Sequence, residues 1–118
     1  MRVMIMATTS PESESQSAPP TPEGMEAIGR FHEELAAAGV LVDSGRLHPS
    51  SRGARVRFTG ADRHITDGPF LEAKELVGGY WIWQVSSLED AIDWLKRAPF
   101  EAGNFEVREI QDEPGRSA

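Results

Sequence analysis

Gly79-Tyr80-Trp81-Ile82-Trp83-Gln84-Val85, followed at once by Ser87-Leu88-Glu89-Asp90 and later by Phe105-Glu106-Val107-Arg108, is the stretch whose reading decides the fold. Aromatic and β-branched residues fill the first run, which is the composition of a strand. Ser87 with acids directly after it is a helix start resembling a capping box with a short acid. Leu88, Ala91, Ile92 and Leu95 then recur at helical spacing as the expected buried stripe, and Pro99 lies just beyond the helix end. Phe105–Ile110 is the returning strand. The unit is therefore strand, helix, strand, and the residues after it, 112–118, are expected to fray.

Working outward, the same grammar appears at the start of the chain. Met1–Ala7 places Val3, Ile5 and Ala7 on one face and Met4 and Met6 on the other, so it reads as a central strand covered on both sides. Thr8–Pro20, rich in Ser, Pro and Glu, reads as a mobile surface loop, either a plain linker or a gate over a pocket. Thr21-Pro22-Glu23 supplies a capping hydroxyl, a proline for the first turn and an acid at the positive end of the dipole. Met25, Ile28, Phe31 and Leu35 follow at helical spacing and Gly39 ends the pattern, which predicts a helix over 22–38. Val40–Leu47 is the second strand, with Gly45 a bulge or a point of close approach. Ala54–Thr59 and Arg63–Thr66, on either side of Gly60-Ala61-Asp62, predict a short hairpin.

The expected fold class is α+β: a ferredoxin-like βαββαβ arrangement with an inserted β-hairpin, in one domain over 1–111. Two β-α-β halves pack both helices on one face of an antiparallel sheet and leave the other face bare. Both faces of the first strand and of the Trp-rich strand are apolar or aromatic, so the bare face calls for a partner. A twofold homodimer that stacks two sheets meets that need.

Composition removes several classes of function. A chain of 118 residues accommodates one core, and oligomerisation helps at this size. The net charge of −7 repels polyphosphate, so nucleic-acid binding is not expected. With no cysteine there is no disulfide, thiolate metal site or thiol nucleophile. No apolar run is long enough for a membrane span, and the expected location is cytoplasmic.

The stretch Thr66-Asp67-Gly68-Pro69-Phe70-Leu71-Glu72-Ala73-Lys74-Glu75, followed by Gly78-Gly79-Tyr80, closely resembles the signature of the DGPF branch of the YCII-related family. Gly39-Val40-Leu41, Gly45-Arg46-Leu47-His48-Pro49, the helix start at Leu88–Ile92 and Glu106-Val107-Arg108 follow that family's order. The resemblance implies a dimeric α+β barrel. It also implies a regulatory or stress-linked setting, because members of this branch are often encoded beside extracytoplasmic-function sigma factors. It implies no agreed reaction. Enzyme-like relatives resemble one another in a His of the first helix and an Asp before the Pro that follows the second helix. Those positions are Ile28 and Ala98 here, and His32, one turn on, is expected on the outer side of the helix. His-Asp chemistry is not carried over.

Six residues are candidates for a ligand site: His48, Asp67, Glu72, Lys74, Trp81 and Arg108. His48 titrates in a range suited to proton transfer, although an idle exposed histidine is the plainer reading. Asp67 in Asp67-Gly68-Pro69-Phe70 is either a turn residue accepting backbone N–H groups or a general base. Glu72 and Lys74 point to the same side of an extended chain, as a grip for a polar ligand or a solvated pair. Trp81 and Trp83 share one strand face, opposite Tyr80, Ile82 and Gln84; one set packs under the helices and the other meets the partner or a pocket. If Phe105 and Val107 face the helices, Glu106 and Arg108 face the dimer cavity. Arg46, Arg52, Arg55, Arg57 and Arg63, with His48 and His64, stand against one acid, Asp62, as an anion site or as edge protection for the hairpin. No histidine pair has metal-ligand spacing, and neither metal nor cofactor is expected. Two functions remain: a homodimer binding a small molecule or a partner, and a small-molecule enzyme using His48, Asp67 and Arg108 as acid–base groups.

Overall fold

The computed structural model describes residues 1–16 and 18–112. The elements in chain order are β1 (Arg2–Thr9), α1 (Pro11–Gln16), α2 (Pro22–Ala37), β2 (Leu41–Arg46), a 3₁₀ turn (Ser50–Arg52), β3 (Ala54–Thr59), β4 (Asp62–Asp67), β5 (Leu76–Gln84), α3 (Leu88–Lys96) and β6 (Asn104–Glu109). The main sheet has the order β2-β5-β1-β6 with antiparallel neighbours throughout. This is the ferredoxin-like arrangement read from the sequence. β3 and β4 form a separate two-stranded ribbon with Val56 opposite Ile65. Of the frayed tail expected over 112–118, residues 113–118 lie outside the described residues. No described helix is long and apolar enough to cross a membrane.

Register sorts the side chains between the two sheet faces. Val3 pairs with Trp83, Ile5 with Trp81 and Val107, and Ala7 with Phe105, so these residues share one face. There they meet Phe31 and Leu35 of α2 and Ala91 of α3 in the buried core. Burial of each large apolar side chain contributes about 1.5–3 kcal/mol, so this face holds most of the fold's driving force. Met4, Met6, Tyr80, Ile82, Glu106 and Arg108 occupy the other face, away from α2 and α3.

The helix caps are as expected. Thr21 Oγ1 accepts from the Gly24 N–H at 3.0 Å, and Ser87 Oγ accepts from the Asp90 N–H at 3.0 Å. The Asp90 carboxylate reaches back to the N–H and hydroxyl of Ser86, which completes the reciprocal cap one residue earlier than a capping box would. Gly39 takes φ +73° behind α2. Gly45 is a point of close approach, since a Cβ there would stand 2.7 Å from the Tyr80 ring. The register irregularity of β2 falls between Leu41 and Asp43 instead.

Three expectations are corrected. The Ser- and Pro-rich segment after β1 contains a helix, α1, rather than only loop. Ser10 caps it by accepting from the Ser13 N–H, Pro11 opens it, and Glu12 and Glu14 lie in its first turn, the same signals that start α2. A helix this short needs a tertiary anchor, and Glu14 provides one by accepting from Ser50 N–H at 2.8 Å and Ser50 Oγ–H at 2.7 Å. The core-facing stripe of α3 is Ala91, Trp94 and Leu95, continued by Ala98 just beyond its end, while Leu88 and Ile92 remain 44% and 38% exposed. That arc has i, i+3, i+4, i+7 spacing and is centred on alanine, which lets the helix approach the sheet closely. Met25 of α2, expected in the core, is 61% exposed at the mouth of a cavity.

Candidate ligand cavity

The cavity lies between α2 and the helix-facing side of the sheet and encloses about 620 Å³. Glycines make up much of its lining. Gly24 and Gly29 line it from α2, and Gly45, Gly78 and Gly79 from the strands. A Cβ at Gly29 would meet no atom within 4 Å. Aromatic rings form the wall. Trp81 stacks on Phe105 at 6.2 Å and 17°, meets Phe100 at 6.0 Å, and takes Phe31 and His32 edge-on at 5.8 and 5.9 Å.

His32 is the polar feature of this wall. Trp81 Nε1–H donates to His32 Nε2 at 2.8 Å. An indole nitrogen can only donate, so Nε2 must accept, and the neutral ring then carries its proton on Nδ1. The expectation that His32 lies on the outer side of α2 is thereby corrected. Ile28 and His32 are four residues apart, share one helix face and both line the cavity. Arg46 and Tyr80 are also among the lining residues, and no carboxylate is. The chemistry on offer is an aromatic surface, an oriented imidazole and a guanidinium, without an acid to complete an acid–base pair.

A second cleft, about 610 Å³, opens on the other side of the sheet. His48 lines it, with Arg52, Arg55, Glu14, Glu75 and Glu106. Arg52 Nη1 stands 3.0 and 3.1 Å from the two ring nitrogens of His48. Phe70 lines the cleft at the end of the segment Asp67-Gly68-Pro69-Phe70, which is docked on the 3₁₀ turn. Gly68 N–H donates to Gly53 O at 2.9 Å, Phe70 N–H to Ser50 Oγ at 3.3 Å, and the Arg55 guanidinium covers the Phe70 ring at 4.0 Å. Any Cβ at Gly68 would collide with the Ser50 carbonyl oxygen, so the motif's glycine is fixed by packing.

The six candidates are therefore not gathered into one place. Trp81 is on the helix side of the sheet and His48 on the open side. Arg108 pairs with Glu106 at 3.0 Å as an exposed ion pair on the open face. Asp67 ends β4 opposite Ala54 and lines neither cavity. Glu72 borders a surface hollow on the basic side of the ribbon, near Arg57 and His64, and no ion pair joins it to Lys74 among the described residues. Glu14, Ser50 and Gly29 were not singled out from sequence. The capping signal at Ser10-Pro11 was present for Glu14. For Gly29, a glycine in mid-helix was the available sign of missing volume.

The comparisons with known proteins agree with this geometry. The model of the YCII-related domain family matches residues 1–113, a span that runs from β1 through β6 and takes in both cavities. An uncharacterised protein of Rhizobium meliloti (strain 1021) is 30% identical over 89 residues, covering 73% of this chain and 72% of that relative. A ferredoxin-like sheet in the order β2-β5-β1-β6, with a family match along nearly its whole length, leads to one assignment. The chain belongs to the YCII-related domain family.

Proposed function

We propose that this chain is a homodimeric small-molecule-binding protein whose ligand occupies the helix-side cavity. The ligand class is an apolar, preferably aromatic, body with an anionic or hydrogen-bond-accepting head. The body stacks against Trp81 and Phe105, and the head takes Nδ1–H of His32 and the Arg46 guanidinium. The carrying observation is the Trp81–His32 hydrogen bond at 2.8 Å on the wall of a glycine-lined cavity. It fixes an imidazole in one tautomer where packing leaves room for a guest. The regulatory or stress-linked setting implied by the sequence resemblance suits a binder. The acid–base reading through His48, Asp67 and Arg108 has less support, because no described cavity is lined by any two of them.

Support for the homodimer comes from the uncovered sheet face. Its centre is Met4, Met6, Tyr80 and Ile82, an apolar surface that a second copy of the chain would cover.

The cavity is tested with anilinonaphthalene sulfonate, which has the stated apolar body and anionic head. Its fluorescence should rise on binding to the native chain. A Cβ at Gly29 meets no neighbouring atom, so Gly29→Leu places an apolar group at the cavity lining and should weaken binding at least about tenfold, since one buried apolar group displaced is worth roughly 1.4 kcal/mol or more. Equal binding by the two proteins would refute the cavity as the site.

A further inference from the structure

We propose that the β3–β4 ribbon is a dimerisation arm that lies, apolar side inward, on the open sheet face of a second copy of this chain. The inference rests on the homodimer reading above and adds the element that secures it. Along the ribbon, Val56, Phe58 and Ile65 fall on one face, and Arg55, Arg57 and His64 on the other. Val56, Phe58 and Ile65 are 55%, 70% and 71% exposed. Among the described residues the ribbon has no extensive packing on another strand or helix; beyond its root at Gly53 and Gly68, the Arg55 guanidinium covers Phe70. A two-stranded ribbon alone is marginal in water, and three large apolar groups held out on one side need a surface.

Shape, area and charge identify that surface as a second copy. The molecule measures 46 × 43 × 18 Å, a slab one sheet and one helix layer thick. Its radius of gyration is 16.6 Å, against about 13.5 Å for a compact chain of this length. Four strands about 4.8 Å apart, paired over roughly six residues at about 3.3 Å each, present about 400 Å² of open face. That is about half of the roughly 800 Å² per partner that a stable interface buries, and the arm supplies the remainder.

The charges agree. The arm, residues 54–67, holds three arginines against two aspartates, a net +1 in a chain of −7, so the rest carries −8. On the inward face Arg63 lies over the Phe58 ring at 4.3 Å, and an arm of positive sign is attracted to the acidic body of its own kind, where Asp43 flanks the apolar centre of the open face. In a twofold dimer each arm meets the other body, so every contact is made twice.

The test is sedimentation of the full chain over a concentration series, beside the variant Phe58→Ser/Ile65→Ser. These side chains are exposed within one copy, so the variant should retain the native far-UV circular dichroism. The native chain should be dimeric at micromolar concentration, and the variant should dimerise about 100-fold or more weakly. A variant that dimerises as tightly as the native chain overturns the arm and leaves the dimer standing. A native chain that is monomeric at micromolar concentration overturns both. Amide exchange on the unmodified chain gives an independent readout. Residues 54–67 should be protected in the dimer and lose protection on dilution, and exchange that is fast at every concentration would contradict the arm.

Discussion

Gly68 and Ser50 stand closer than any side chain allows, and that contact sets the shape of the open-face cleft. Gly68→Ala should therefore destabilise the protein by about 2–3 kcal/mol in urea unfolding, because the clash is with backbone and neither segment can yield freely. Glu14 holds the same turn from the opposite side through two hydrogen bonds to Ser50. Glu14→Ala should cost roughly 1–2 kcal/mol, the range for bonds to a charged group discounted for partial exposure. The tryptophans provide a sharper contrast. Trp83 is fully buried and its indole N–H has no partner among the described residues, whereas Trp81 spends its N–H on His32. Trp83→Phe removes an unsatisfied donor along with some packing. Trp81→Phe leaves stability less affected by volume but frees His32 to turn. Probe affinity should accordingly fall in Trp81→Phe and hold in Trp83→Phe, as measured by the same fluorescence titration.

Elements were legible in the sequence to the extent that their signals were local. β5 declared itself through Tyr80-Trp81-Ile82-Trp83, and α2 through Thr21, its helical periodicity and Gly39. α1 was read as loop because its composition is that of a linker, although Ser10-Pro11 carries a helix start. Its stability depends on Ser50, 36 residues away, and that contact has no local sign. The arc of α3 shifted for a related reason: spacing allows two stripes, and close approach of Ala91 to the sheet selects one. Of the candidate site, Trp81 was found and His32 was seen but turned the wrong way. The remaining five candidates lie elsewhere, since residue chemistry alone does not say on which side of a sheet a loop ends. Helix α2 carries its own test. Gly29→Ala should raise stability by about 0.5–1 kcal/mol in thermal or urea unfolding, because the helix gains propensity and nothing is displaced. A loss of stability would mean that the cavity is smaller than described.

At the scale of the whole molecule, the fold concentrates its burial on one side of the sheet, leaves the centre of the other side half-buried and holds the ribbon exposed. A chain built this way divides its tasks: the helix side encloses a cavity, and the open side with its basic arm is free for association. The two tasks should be separable, so the arm variant is expected to bind the fluorescent probe as the native chain does. Salt should weaken dimerisation if the positive arm is drawn to an acidic body, and leave the apolar part of probe binding intact. The central claim is that the ligand enters against Trp81. It is tested most directly by following the three indole N–H resonances, from Trp81, Trp83 and Trp94, while anilinonaphthalene sulfonate is added to nitrogen-15-labelled protein. The Trp81 resonance should move with the titration, Trp83 and Trp94 should stay near their starting positions, and Gly29→Leu should shift the movement to at least about tenfold higher probe concentration. A Trp81 resonance unmoved while the probe binds would contradict it.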